Sequence, residues 1–191
     1  MRNLAIIYRK IEPKNGSDWY FQANKFVRNV AKNYGMDIET VSGILAALSP
    51  AVNWEQNKKE TVTLIRINRG IHTKPFNFGT YGNNVVKAQK IYDGIHPLEV
   101  LNEKTGPKTY NFYHNVLHPE NPDYVTIDRH AFRIATEKPY DRISFKQYRE
   151  ISEHYIKCAK RLGILPNILQ SVLWVWYREN NVNNYKEYSL N

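Results

Sequence analysis

Apolar residues recur every three or four positions along most of the chain, which is the spacing of a buried helical face. From Asp18 to Tyr34 this pattern is bounded by Ser17, a predicted N-cap, and by Gly35, a predicted stop. No alternation of apolar and polar residues is long enough to require a sheet. The pattern therefore predicts an all-α fold of nine or ten helices.

The other helices are predicted from the same spacing, together with capping residues, proline and glycine. They fall in the ranges 38–48, 54–69, 82–92, 98–101, 103–116 (a turn running into a helix), 126–135, 144–162 and 166–179. The predicted N-caps are Asp37, Asn53 and Ser144. The ranges 71–81 and 118–124 contain proline and are predicted as loops, and the polar tail 181–191 is expected to fray.

Composition and charge restrict the class of protein. The chain has 191 residues, 42% of them hydrophobic, which suits one domain made of two small lobes. A net charge of +9 favours a polyanionic partner, because neutralised phosphates release counterions. Cys158 is the single cysteine, and no run of about 18 apolar residues or secretory signal is seen. We expect a cytoplasmic monomer without membrane contact, metal or cofactor, and with a nucleic acid partner.

The segment Thr105-Gly106-Pro107-Lys108-Thr109 combines a turn with the start of a helix. Proline suits the first helical position, and exposed backbone N–H groups with the helix dipole predict a phosphate site there. The same field, with partial burial, favours a neutral lysine amine. A neutral amine can attack an electrophilic sugar carbon and form a Schiff base, so Lys108 is a candidate nucleophile.

A second segment, residues 126–134, places Asp128 at the expected start of a helix, 20 residues after Lys108. Its carboxylate can activate a nucleophile or stabilise the positive charge that forms when a glycosidic bond breaks. Each residue also has a structural interpretation: a solvated lysine, an aspartate N-cap and, at His130, a packing histidine. The order of the two segments favours the catalytic interpretation over either residue taken alone.

This order of motifs resembles the helix-hairpin-helix DNA glycosylase superfamily, the fold of the endonuclease III and 8-oxoguanine glycosylase families. Hairpins of that superfamily end in Gly-x-Lys and are followed by an apolar-Asp-x-His-apolar-x-Arg run. The matching residues are Gly106, Pro107, Lys108, Ile127, Asp128, His130 and Arg133. The flanking ranges 44–57, 83–94 and 165–179 fit loosely, so the likeness spans about residues 20–180. The region 38–69 also resembles small phage-encoded proteins related to the superfamily, which implies a bacterial host cell as the setting.

The resemblance implies one domain, residues 1–191, of two helical lobes with the active-site cleft between them. It makes Lys108 the nucleophile, Asp128 the catalytic carboxylate and double-stranded DNA the partner. The implied DNA contacts are Lys104, Thr105, Gly106, Thr109, Asn53, Trp54, Arg129 and His130. Candidates for the base pocket are Asn111, at i+3 from the lysine, and the rings of Tyr110 and Trp19.

The chain departs from the superfamily pattern at two places. Lys104 stands where the first hairpin glycine belongs, so its side chain is expected to replace a close backbone approach to phosphate. Family members often carry a glutamine that fills the gap left by a flipped base. In this chain Asn53, Trp54 or Gln56 is the candidate for that role.

The expected function is that of a base-flipping DNA glycosylase that excises a modified or damaged base, with AP-lyase activity through Lys108. Two alternatives remain open. One is a phage enzyme that hypermodifies DNA bases on the same fold. The other is a non-catalytic protein that uses the hairpin only for contacts to the DNA backbone.

Overall fold

The computed structural model describes residues 1–139 and 142–180, and every regular element in this part of the chain is a helix. The prediction of an all-α fold is therefore confirmed. Ten helices are present in the described ranges: α1 (Leu4–Lys10), α2 (Trp19–Tyr34), α3 (Ile38–Leu48), α4 (Trp54–Asn68), α5 (Gly82–Tyr92), α6 (Pro97–Val100), α7 (Pro107–Leu117), α8 (Arg129–Thr136), α9 (Phe145–Leu162) and α10 (Pro166–Asn180).

Local sequence accounts for several helix ends. The side chains of Asp37 and Asn53 accept hydrogen bonds from backbone N–H groups in the first turns of α3 and α4. Ser144 and Gln147 form a capping box at α9, and Gly163 ends that helix in the left-handed conformation with a φ of 68°. These caps and this stop confirm the predictions made from the pattern.

Helices α1, α2 and α8 differ from expectation in an informative way, and other ends move by one residue. Helix α1 was not predicted, because seven residues are too few to show a period, although Leu4 and Ala5 are buried. Helix α2 begins at Trp19, one residue later than expected. Helix α8 begins at Arg129 and not at residue 126, because the preceding backbone is extended and the Ile127 N–H donates to the Tyr148 hydroxyl at 2.9 Å. The tail 181–191 lies outside the described residues.

The chain divides into two compact units. The first consists of residues 1–20 and 120–191, and its described helices are α1, α8, α9 and α10. Within this unit α10 packs against α1, α8 and α9. The core contains Leu4, Val125, Ile134, Tyr155, Leu169, Val172 and Leu173, among others.

The second unit consists of residues 21–119 and is built around α3. This helix packs against α4, α5, α6 and α7, and every residue from 41 to 48 is buried. A helix that is apolar on all sides suits such a central position. Gly43 allows the closest approach, because a Cβ there would lie 2.8 Å from the Pro97 side chain.

Among the helices of residues 1–139 and 142–180, none combines the length and the hydropathy that crossing a bilayer requires.

Candidate functional site

Asp128 is the N-cap of α8, and its two carboxylate oxygens have different partners. Oδ1 accepts the backbone N–H groups of His130 at 2.9 Å and Ala131 at 2.8 Å. Oδ2 accepts the indole N–H of Trp174, on α10, at 3.1 Å. A carboxylate offers about four acceptor positions. Within residues 1–139 and 142–180, these three hydrogen bonds hold the group in place and leave one acceptor position on Oδ2.

His130, two residues further on, belongs to the interior of the first unit. Its side chain is 5% exposed, and its ring lies 6.3 Å from that of Trp174 and 5.9 Å from that of Tyr177, measured between centroids. Burial lowers the pKa of His130 to about 4, against a smaller opposing effect of Asp128. The His130 imidazole is therefore neutral at pH 7. Arg129, the residue before it in the chain, is exposed.

Three arginines gather around this histidine. Arg129, Arg133 and Arg178 each contribute to the lowering of the pKa of His130, since a further positive charge is unfavourable beside them. The guanidinium of Arg178 also lies over the ring of Trp174, 4.7 Å from its centroid. Two helices, α8 and α10, thus bring positive charge to the neighbourhood of the Asp128 carboxylate.

Two buried residues with hydroxyl groups, Tyr20 and Thr126, lie close to each other in the first unit. The Tyr20 hydroxyl donates to Gln170 Oε1 at 2.9 Å. Burial raises the pKa of Tyr20, a hydrogen bond from Thr126 opposes that rise, and the charge of Asp128 adds to it. The ring of Trp19, one of the expected pocket residues, contacts that of Tyr20 edge to face at 4.8 Å. Trp19 and Asp128 both belong to the first unit.

The hairpin before α7 is stabilised by one asparagine. Asn102 Oδ1 accepts the backbone N–H groups of Lys104 at 2.9 Å and Thr105 at 3.1 Å, and the Asn102 carbonyl accepts the Gly106 N–H at 2.8 Å. The backbone N–H groups of Lys104, Thr105 and Gly106 are therefore engaged within the hairpin. Asn102 thus satisfies two of these groups through an Asx-turn and the third through its backbone carbonyl, and the phosphate site expected at the first residues of α7 stays a prediction.

Lys108 is the second residue of α7 and is half-buried. Gly106 occupies the N-cap position with a φ of −144°, so no left-handed conformation demands a glycine there. Space is the stronger constraint, because a Cβ at Gly106 would lie 3.1 Å from Thr109 Oγ1. That hydroxyl donates to the Gly106 carbonyl at 3.0 Å and helps to close the first turn.

The expected pocket residues on α7 also have partners along the helix. The Asn111 side chain is 8% exposed and donates to the Pro107 carbonyl at 2.8 Å. The ring of Tyr110 contacts that of His114 at 4.6 Å between centroids. Burial lowers the pKa of His114 to about 4, and His118 adds to that effect.

At the start of α4, Asn53 Oδ1 caps the helix by accepting the Gln56 N–H at 2.9 Å. The half-buried ring of Trp54 contacts that of Phe26 edge to face at 5.9 Å, and Lys58 Nζ lies 5.4 Å from its centroid. The Gln56 side chain donates to Glu60 at 2.8 Å, one turn further along the same helix. All three gap-filling candidates therefore have contacts within the protein at this end of α4.

The candidate residues fall into two groups, one in each unit. Asp128, Arg129, His130 and Trp19 belong to the first unit. The second unit carries the hairpin and α7 candidates (Lys104, Thr105, Gly106, Lys108, Thr109, Tyr110 and Asn111) and the α4 candidates (Asn53 and Trp54).

Two residues near Asp128 were not expected to contribute to its surroundings. Trp174 and Arg178 are four positions apart on α10, so their side chains share a face of that helix. An aromatic and a cation at this spacing were a signal available in the sequence. The hydrogen bond of Trp174 to Asp128 was not, because it joins residues 46 positions apart.

The chain matches, over residues 1–181, the family described as "Family of unknown function (DUF7178)", and it belongs to that family. It has no match among the curated proteins or among the solved structures. In the part of the chain that the structure describes, no group of three or more histidine, cysteine or acidic residues is arranged to hold a metal ion.

Proposed function

We propose that this protein is a base-flipping DNA glycosylase with AP-lyase activity, in which Lys108 is the nucleophile and Asp128 the assisting carboxylate. The observation that carries the proposal is the way in which the Asp128 carboxylate is held. Three hydrogen bonds hold its carboxylate, one acceptor position is left on Oδ2, and three arginines lie near its helix. A fixed carboxylate costs little reorganisation when positive charge develops on a sugar.

The proposed reaction begins with the neutral amine of Lys108, whose lone pair attacks C1′ of an extruded nucleotide. The C1′–N bond breaks, its electron pair leaves with the base, and solvent protonates the base. Solvent accepts the proton that the attached amine loses, and the Asp128 carboxylate stabilises the positive charge that develops on the sugar. The C1′–O4′ bond then breaks and solvent protonates O4′, which gives a protonated Schiff base between Nζ and C1′. Solvent removes a proton from C2′, the C3′–O bond breaks with its electron pair leaving on the 3′ phosphate, and water then releases the lysine.

Positive charge supports DNA as the substrate. The chain carries a net charge of +9, and Arg129, Arg133 and Arg178 concentrate part of it around α8. Lys104, exposed in the hairpin, adds a cation to the turn before α7. Because Lys108 and Asp128 belong to different units, each is assigned its role from its own surroundings and is tested by its own variant.

The test for Lys108 is borohydride trapping on double-stranded oligonucleotides that carry an abasic site or one of a panel of altered bases. Wild-type protein is expected to give a covalent adduct, because borohydride reduces the Schiff base to a stable amine. Lys108→Arg is the sharpest variant, since arginine keeps the charge but stays protonated and forms no such adduct. Lys90→Ala, at an exposed position on α5, is the control and should trap like wild type.

For Asp128, replacement by asparagine separates catalysis from capping. Asn is also a good N-cap, so the free energy of unfolding should change by only about 1 kcal/mol, while the rate of base release falls by roughly 100-fold or more. Activity of Asp128→Asn at the wild-type level would overturn the catalytic role.

The structural role of Asp128 favours one alternative, a DNA-binding protein without catalysis, since all three of its hydrogen bonds also serve the fold. That function predicts no adduct, no released base and a steep fall in affinity with salt. Mass spectrometry of the nucleosides distinguishes the remaining possibility, because base modification yields a heavier nucleoside where excision yields a lost base.

A further inference from the structure

The hydrogen bond between Trp174 and Asp128 exceeds what capping of α8 requires. Both backbone donors of the cap bond to Oδ1, at 2.9 and 2.8 Å. The Trp174 indole donates to the other oxygen, Oδ2, at 3.1 Å and comes from a different helix, α10. Capping needs only the first oxygen, so the second hydrogen bond has a separate effect on the carboxylate.

That effect is on orientation. Two hydrogen bonds at Oδ1 still allow the carboxylate plane to rock about the Cβ–Cγ bond, whereas a third hydrogen bond at Oδ2 fixes the plane. The remaining lone pair of Oδ2 then points in one direction. A reacting carboxylate gains most when its free lone pair is aimed before the substrate arrives.

The indole is itself held in position. The guanidinium of Arg178 lies over its ring, 4.7 Å from the centroid, and the His130 ring contacts it at 6.3 Å and 65°. Trp174 is half-buried, so the surrounding protein restricts its rotamer while leaving part of the residue at the surface. A restrained donor transmits its position to the acceptor better than a mobile one.

We propose that Trp174 is a positioning residue for Asp128, which orients Oδ2 toward the sugar of the extruded nucleotide through its indole N–H. This inference rests on the proposed function, since it assigns the hydrogen bond a purpose in catalysis. Trp174 acts through Asp128 and transfers no proton itself.

The hydrogen bond is tested by the indole region of a ¹H–¹⁵N correlation spectrum. The chain has four tryptophans, so four indole signals are expected. The signal that disappears in Trp174→Phe is that of the Trp174 indole. Asp128→Ser keeps a good N-cap but removes Oδ2. The Trp174 signal should move in Asp128→Ser while the Trp176 signal stays in place. An unmoved Trp174 signal would overturn the proposal.

The kinetic test compares Trp174→Phe with Trp176→Phe, a matched loss of an indole N–H two positions away on the same helix. In single-turnover assays, base release by Trp174→Phe should slow about tenfold or more, with DNA affinity unchanged within about twofold. Trp176→Phe should release base at the wild-type rate. In the Asp128→Asn background, Trp174→Phe should cause no further loss.

Three results would count against this role. If Trp174→Phe releases base as fast as wild type, the positioning role is wrong while the glycosylase survives. If Trp174→Phe slows both backgrounds equally, and in proportion to a loss of thermal stability, Trp174 is only structural. A wild-type protein that releases no base and traps no adduct overturns the proposed function and this inference together.

Discussion

Asp128 and Lys108 both stand at the N-terminal end of a helix, but these two ends are stabilised in different ways. The start of α8 depends on contacts from distant parts of the chain, since Trp174 on α10 reaches Asp128 and Tyr148 on α9 holds the preceding backbone. The start of α7 depends on residues that are close in sequence, because Asn102 accepts hydrogen bonds from backbone N–H groups no more than four residues further along the chain.

The difference predicts how each region responds to change. Disturbing a side chain around Asp128 affects packing in the first unit, where the groups are buried and a charge is costly. Disturbing the hairpin exposes a few backbone groups that water can satisfy. Variants around Asp128 should therefore have the larger effects on stability.

The largest effect on stability is expected from protonation of His130. Its pKa is lowered from 6.5 to about 4 in the folded protein, so the unfolded chain binds the proton more readily between these values. The stability is complete above about pH 6.5 and is lost as the pH falls toward 4. We expect a loss of about 2 kcal/mol from this residue over that window. Chemical denaturation at pH 7 and pH 4.5 measures this loss. His130→Phe should flatten the dependence of the free energy of unfolding on pH.

His114, on the helix that carries Lys108, provides the comparison. Burial lowers its pKa to about 4 as well, but its side chain is only partly buried. Solvent screens a partly exposed group, so His114→Phe should flatten the curve less than His130→Phe does. Equal flattening by the two variants would contradict the expected difference between the buried His130 and the partly buried His114.

A smaller effect is expected from Asn102→Ala, which removes the side-chain acceptor of two hairpin N–H groups. Because Asn102 is exposed, we expect a loss of about 1 kcal/mol in the free energy of unfolding and faster hydrogen exchange at Lys104 and Thr105. Asn121→Ala is the matched control, since Asn121 Oδ1 accepts the Asp123 N–H at 2.8 Å in another loop. Unchanged exchange at Lys104 and Thr105 would show that Asn102 does not hold the hairpin.

The smallest effect is expected from Arg178→Ala, measured as DNA affinity against salt concentration. If Arg178 neutralises one phosphate, its loss should reduce the slope of log affinity against log salt by about 0.9. Arg161→Ala, at an exposed position at the end of α9, should leave the slope unchanged. A slope that is the same in wild type and Arg178→Ala would place Arg178 outside the DNA contact and leave it only its contact with Trp174.

The helical content of the chain, most helix bounds and the role of Asp128 as a cap could be predicted from the sequence. These features depend on interactions over one or two turns: apolar spacing in α3, a capping box at Ser144, and a stop at Gly163. Lys108 could likewise be located at the start of a helix, because the preceding proline occupies the first position of α7.

Helix α1, the extended backbone before α8 and the partner of Asp128 Oδ2 were decided by tertiary structure. Seven residues of α1 carry too little periodic signal, and their helix is completed by packing against α9 and α10. The hydrogen bond between Trp174 and Asp128 forms only where α10 packs against α8. Sequence spacing determines which groups can meet within a helix, whereas contacts between helices depend on how their side chains pack together.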